Sequence, residues 1–528
     1  MKRILFLIIV VLSVANISYA QYVDENEKTA PLKPFENIEY KVEMQTSLSQ
    51  GKTPLWLNAN KYGLSSLDEF NGYLRGSVIR PLSTDDGRKW GLGYGLDMAV
   101  PVNYTSKFVV QQAFVEGRWL KGSLTIGAKE FPMELKNNSL SSGSQTLGKN
   151  ARPIPQVRLA LRDYWALPIL HRWLQIKGHI AYGRMTDNSW QHDFTACRSK
   201  YADNVLFHSK AGYLRIGNEE RFFPWSLELG LEMASIFGGT AYAQNEDGTM
   251  RRIESHKGLK SYWQAFMPGG SEVEEEGTVY QNAEGNQLGS WVMRINYNGD
   301  NWSFAAYVDK YFEDHSSMLQ LDYDGYGEGA EWNSKKEKRY FRYDFKDWMI
   351  GLEIHKKRDS WLQTIVLEYL YSRYQSGPIY HDHSEGWSEH ISGKDDFYNH
   401  YIYTGWQHWG QVIGNPLYRS PIYNTDGTIR VADNRFVGFH LGLDGKPAEH
   451  LSYKMLATYQ WGYGTYDDPF DKKHENFSFL LEGKYDIKSR LPLINNTSVT
   501  LGYGMDVGRI LNGINYGFQL TIAKTGIL

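Results

Sequence analysis

The sequence predicts an all-β protein: a transmembrane antiparallel β-barrel of about eighteen strands with long extracellular loops. Three observations carry this prediction. The first is a strict two-residue alternation. In "WGLGYGLDMAV" (90–100), Leu92, Tyr94, Leu96, Met98 and Val100 alternate with Gly91, Gly93, Gly95, Asp97 and Ala99. Successive strand side chains point to opposite faces, so one face is apolar and the other small or polar. The second is the sorting of connection lengths, short and long in turn along the chain. The third is a start that reads as an export leader, with no later apolar run near the ~20 residues a membrane helix needs. An exported chain without such a run spans a membrane only as a closed barrel.

Taken in order, "MKRILFLIIVVLSVANISYA" (1–20) reads as a signal peptide. Lys2 and Arg3 form its basic region, Ile4–Leu12 its apolar stretch and Ser18-Tyr19-Ala20 its cleavage site, leaving Gln21 first. Residues 21–37 read as a short periplasmic segment, and 38–528 as the barrel with its loops. The alternation places strands near 38–48, 70–80, 89–100, 106–119, 122–130, 155–164, 172–185, 203–217 and 224–237. It continues near 287–298, 301–314, 346–356, 359–374, 434–444, 449–463, 474–486, 496–505 and 512–523. "SLELGLEMAS" (226–235) sets Leu227, Leu229, Leu231 and Met233 against Glu228, Gly230 and Glu232. "DWMIGLEIHK" (347–356), "VGFHLGL" (437–443), "SVTLGYGM" (498–505) and "NYGFQLTIA" (515–523) repeat the pattern.

Gaps after even-numbered strands are mostly short: 120–121, 165–171, 218–223, 299–300, 357–358 and 445–448. The long gaps all follow odd-numbered strands: 131–154, 186–202, 238–286, 315–345 and 375–433. Outer-membrane barrels have short periplasmic turns and long extracellular loops. A soluble sandwich or propeller, the alternative, has no reason to sort its loops this way. Composition agrees. Aromatics make up 15% of the chain and glycines number 51, although mean hydropathy is negative. A single cysteine, Cys197, excludes an intramolecular disulfide framework. A net charge of −3 gives no case for nucleic acid.

Several ordered stretches carry a resemblance. "SGSQTLGKNARPIPQVRL" (142–159), "EGNQLGSW" (284–291), "DKYFEDHSSM" (309–318), "EYLYSRYQSGPIYHD" (368–382), "DFYNHYIYTGWQHWGQVIGNPLYRSPIYN" (396–424) and "VADNRFVGFHLGLDG" (431–445) resemble the Wzi-type capsule-assembly outer-membrane proteins. The resemblance implies an eighteen-stranded, lectin-like barrel that helps hold capsular or other surface polysaccharide at the cell surface. It implies no enzyme and no cofactor. The partners it implies are polysaccharide and outer-membrane lipid, for a monomeric barrel. One departure stands out. The best-described members carry a small periplasmic helical bundle, for which residues 21–37 leave little room. No role of that bundle is carried over.

The longest connection, 375–433, holds the candidate ligand-binding residues: Trp387, Tyr398, His400, Tyr401, Trp406, His408 and Trp409. Aromatic faces suit the C–H faces of sugars, and neighbouring amides such as Asn399, Gln407 and Gln411 suit hydroxyls. The competing reading packs these aromatics as a lid over the barrel. "HDHSEGWSEH" (381–390) and the acidic turn Asp322, Asp324 and Glu328 lack the spacing of a zinc or EF-hand site, so no metal is expected. Glu228 and Glu232 lie about 13 Å apart on one strand, too far for a glycosidase pair at ~5–9.5 Å. Pairs across strands, such as Asp309 with Glu353, stay open. The alternative function is a porin-like channel for sugars or small solutes, which shares the barrel but leaves its lumen open.

Overall fold

The computed structural model describes residues 32–528, apart from 219–221, 246, 257, 268–284, 314–316, 318, 320, 323–328, 332, 335–339, 342, 344, 381–390 and 493. The signal peptide, Trp387, Asp324, Glu328 and "HDHSEGWSEH" therefore lie outside the described residues. Eighteen antiparallel strands form one closed sheet. They are β1 (Glu39–Gln50), β2 (Phe70–Arg80), β3 (Trp90–Val102), β4 (Val109–Trp119), β5 (Gly122–Ala128) and β6 (Gln156–Ala166). Next come β7 (Leu174–Arg184), β8 (Leu206–Ile216), β9 (Trp225–Phe237), β10 (Asn286–Asn298), β11 (Trp302–Glu313) and β12 (Trp348–Lys356). The last six are β13 (Thr364–Tyr371), β14 (Phe436–Ala448), β15 (Leu451–Gly464), β16 (Pro469–Ile487), β17 (Thr497–Gly508) and β18 (Gly513–Ile527). Each strand pairs with its sequence neighbours. Closure comes from β1 against β18, in register from Glu39↔Ile527 to Gln50↔Tyr516.

The alternation sorts side chains as expected. On β3, Leu96 and Val100 are exposed on the outer wall, whereas Gly91, Gly93, Gly95, Asp97 and Ala99 are buried inside. Asp97 is held in the lumen by Arg75, with Nη2–Oδ2 at 2.5 Å. Trp90, Trp225, Trp302 and Trp361 are exposed at the short-turn end, where an aromatic girdle belongs.

The core lies inside the barrel, and long loops build it. The segment after β1 carries a one-turn helix, α1 (Leu55–Asn58), that enters the lumen. The Leu55 N–H donates to Asp506 (2.9 Å), and the Trp56 indole N–H to Thr458 (3.1 Å). Segments 129–155 and 396–434 enter beside it. Together they bury Leu57, Leu140, Ile154, Trp406, Tyr418 and Val431 in one cluster with inward residues of the wall.

A braced plug at the candidate functional site

Segment 129–155 is tied to the lumen wall by inward carboxylates. Lys136 Nζ lies 2.6 Å from Asp309, and both side chains are almost fully buried. The Gln145 side chain donates to the Asp309 carbonyl at 2.8 Å. Ser141 Oγ and the Ser142 N–H donate to Glu368 at 2.5 and 2.7 Å, and Tyr307 donates to the same carboxylate at 2.5 Å. Asn137 and Arg294 share Glu353, at 3.1 and 2.8 Å. His440 donates from Nε2 to the Leu140 carbonyl at 2.8 Å and accepts from Thr458 at Nδ1, which sets its tautomer. Each buried carboxylate thus has a donor, as a low-dielectric interior demands.

Segment 396–434 packs on top of this layer. Its aromatics stack on one another and on the wall. The Tyr398 and Tyr418 rings lie 3.9 Å apart at 23°, with Tyr311 edge-on to Tyr398 at 5.4 Å. Tyr398 donates to the Gln145 carbonyl and accepts from the Asn415 N–H. Trp406 is completely buried, stacks on Phe207 and donates its indole N–H to the Thr146 carbonyl at 2.9 Å. The two segments cross where both have glycine. A Cβ on Gly148 would meet the Gly414 carbonyl oxygen at 2.6 Å. One on Gly414 would meet the Tyr398 hydroxyl.

The predicted site residues therefore divide. Tyr398, Trp406 and His408 are buried parts of the plug. His408 donates from Nδ1 to the Arg152 carbonyl (2.9 Å) and accepts at Nε2 from the Thr186 N–H (3.2 Å). Burial pushes its pKa down to about 4. His400 accepts at Nδ1 from the Ile402 N–H at 3.0 Å, and burial holds it near 3. Tyr401 is 69% exposed at the long-loop end. Trp409 is half-buried, its ring 4.1 Å from the Arg152 guanidinium. Tyr398 and Trp409 both hold positive φ, 70° and 55°, a conformation costly for aromatic residues and sustained by the packing around them. Asp433 accepts from the Tyr463 and Gly464 N–H groups, and burial raises it to about 7.

The short-turn half of the lumen is less filled. One cavity of about 440 Å³ is lined by Glu116, Lys129, Glu134, Arg158 and Lys177, among others. A second, of about 290 Å³, lies between Arg215, Glu228, Arg294 and Glu353. Charges here pair as Lys129–Glu116 (2.6 Å), Lys177–Glu134 (2.7 Å) and Arg215–Glu228 (2.6 Å). Arg158 instead lies 4.1 Å over the Phe131 ring. Asp309 and Glu353 are not a hydrolytic pair. Glu353 is opposite Ala305, four positions from Asp309 and thus about 13 Å along the strand.

The plug was not legible in the sequence. Lys136, Gln145, Glu368 and Trp56 were not singled out, because an inward-folded loop carries no hydrophobic period. The available signal was indirect: the polar run Ser141–Thr146 is matched by inward carboxylates on β9, β11 and β13.

Fold and plug together define an outer-membrane β-barrel whose long extracellular loops fold back into its own lumen. Among solved structures, the chain is similar to Wzi of Escherichia coli, an outer-membrane protein involved in group 1 capsule assembly and described as a carbohydrate-binding β-barrel. The two share 12% identity at a TM-score of 0.53, over 92% of this chain and 84% of that one. The chain is also similar to two barrels of Pseudomonas aeruginosa. OpdK shows 10% identity and a TM-score of 0.46, over 94% and 100% of the two chains. OprD shows 9% identity and a TM-score of 0.45, over 95% and 96%. No family model and no curated protein matches. At these identities the shared property is the fold, a closed barrel of the outer-membrane type.

Proposed function

We propose that this barrel is a lectin-like protein that binds capsular or other surface polysaccharide and serves capsule assembly or retention. The observation that carries the reading is the plug. Segments 51–69, 129–155 and 396–434 interlock through buried hydrogen bonds, and the Lys136–Asp309 ion pair ties them to the wall. The outer end thereby offers a fixed surface. Tyr401 and Trp409 are the aromatic groups on it that a sugar ring would meet, while Tyr398, Trp406, His400 and His408 hold its shape. The carbohydrate-binding activity named for the Escherichia coli barrel supports the same reading. The porin-like alternative draws on the two cavities at the short-turn end, each bordered by charged side chains.

One experiment separates them. Tyr401→Ala and Trp409→Ala together should lower retained surface polysaccharide by more than tenfold in a barrel that still shows heat-modifiable migration, because buried aromatic anchors contribute about 2 kcal/mol or more each. The wild-type barrel in a planar bilayer should show no steady solute conductance. Unchanged retention with open conductance would replace the lectin reading by the channel.

A further inference from the structure

The segment after β9 folds outward, unlike the plug segments. It carries α3 (Leu259–Phe266), an eight-residue helix laid on the outer wall of the barrel; the one-turn helix Trp190–Thr195 is α2. The strand register fixes the height of α3. Tyr182, His208, Ser235 and Gln287 form one cross-strand row on the outer faces of β7, β8, β9 and β10. The row below it holds Ile180, Lys210 and Met233, and lower rows hold Leu214, Leu229 and Met293, then Ile216, Leu227 and Ile295. Trp225 and Tyr297 close the wall at the short-turn end. From Trp225 to Ser235 is ten residues, about 33 Å of strand, or roughly 24 Å of height at a ~45° tilt. That is the height of an outer-membrane apolar band, ~25 Å. Ser235, the β9 member of the polar row, lies at its upper boundary.

The helix covers this boundary. Tyr182 donates to the Tyr262 carbonyl at 2.9 Å, Gln287 to the Gln264 carbonyl at 3.1 Å, and Lys210 to the Phe266 carbonyl. Two of those carbonyls belong to the last turn of the helix, where no intrahelical donor is available. Phe237 packs edge-on to Tyr262, His208 edge-on to Phe266, and Ser261 and Ala265 are buried beneath the helix. The opposite edge is apolar and exposed among the described residues: Leu259 is 90% exposed, Trp263 46% and Met267 51%. Leu259 and Trp263, at i and i+4, share one face of the helix, and Met267 is the extended residue that caps its C-terminus. An indole stands on this edge, the side chain best suited to a bilayer interface.

We propose that α3 is an interfacial membrane helix, with its Leu259–Trp263–Met267 edge seated in the acyl–headgroup boundary of the outer leaflet. Tyr182, Lys210 and Gln287, which would otherwise meet lipid, donate to the helix instead, and the helix gives the bilayer an apolar edge in their place. Amphipathic helices lie in the interface plane in this way.

The test uses the full chain with Cys197→Ser, folded into dioleoylphosphatidylcholine vesicles and checked by heat-modifiable migration. Single cysteines at Leu259, Trp263 and Met267 carry a bimane label, as do controls at Leu229 on the wall and Tyr401 on the plug. Shallow nitroxide lipid should quench the α3 labels roughly threefold more than the Tyr401 label, and iodide in the water should quench them threefold less. Three positions on one edge keep the test alive if one variant fails to fold. Iodide access equal to that at Tyr401 would overturn the proposal. So would labels shielded from both quenchers, which would mean a protein contact.

Discussion

The barrel wall and the plug solve the problem of an interior in opposite ways. The wall is regular: neighbouring strands pair along most of their length, with breaks such as those at Asp97/Met98 and Leu161/Trp165, and side chains alternate between lipid and lumen. The plug has one turn of α-helix, a short hairpin (Gln407–His408 with Gln411–Val412) and a 3-10 turn (Pro421–Tyr423) in a largely irregular backbone, held by side chains that reach from loop to wall. A single side-chain error costs the wall stability but leaves its ladder in place, because that ladder is made by the backbone. The plug lacks that safeguard, since its order depends on particular carboxylates such as Asp309 and Glu368.

The largest effect should come from breaking one brace. Lys136→Ala leaves Asp309 buried and loses its nearest cation, which should destabilise the plug by about 3–5 kcal/mol. The readout is faster amide exchange across 129–155 with the barrel intact. Lys136→Met with Asp309→Leu should recover much of the loss, because it removes both charges together.

On the wall, Leu229→Arg should cost roughly 2–4 kcal/mol near the bilayer midplane, read as a lower denaturant midpoint in vesicles. Its neighbour Gly230→Ala is less benign than its inward position in the sequence suggests. A Cβ there would lie 2.5 Å from the Tyr213 ring, so a cost of about 1–3 kcal/mol is expected. If Gly230→Ala costs more than Leu229→Arg, crowding in the lumen outweighs lipid exposure on this strand.

The plug should also respond to acid. His408 ordinarily titrates near 6.5 and falls to about 4 in the closed plug. An open plug therefore binds a proton that the closed one refuses, and His408 lowers plug stability as pH falls from 6.5 towards 4. Asp433 acts with the opposite sign. Raised from 3.8 to about 7, it takes up a proton first in the closed plug, which gains stability as pH falls from 7 towards 3.8. Amide exchange over 396–434 at pH 7.5 and 4.5 should show less acid loosening in His408→Asn and more in Asp433→Asn.

The smallest effect expected is on stability in Tyr401→Ala, which removes an exposed ring and should shift the denaturant midpoint by less than ~0.5 kcal/mol. Any larger change would mean that the Tyr401 ring helps hold the plug together.

The same contrast explains what the sequence disclosed. A period of two is imposed by lipid on one side and a crowded lumen on the other. All eighteen strands were legible through it, with β1 expected from 38 and found from Glu39. The pattern fails where lipid ends. β16 was expected from 474 but begins at Pro469, because Asp471, Lys472 and Lys473 extend the ladder into water, where no apolar face is required. β13 was expected over 359–374 but covers Thr364–Tyr371, since the segment before it turns to meet β14, with the Gln363 N–H on the Asp444 carbonyl. In the plug, Trp406 and Tyr401 look equivalent in sequence. Their separation into a buried post and an exposed ring depends on contacts with residues 146 and 207, more than 190 positions away.

The seam between β1 and β18 has a consequence for assembly. It joins residues 39 and 527, the widest separation of any pair in the wall. Closing a flexible loop of that length costs about 5–6 kcal/mol of chain entropy on the (3/2)RT ln n scale. No other seam need bear that cost, since every other neighbouring pair follows directly in sequence. Until β18 is in place, β1 and β17 are both open edges, able to pair with a second chain or with any other exposed strand. The order of events is thereby set: hairpins first, the ring last. A block on the final seam would leave a partly built wall with two reactive edges.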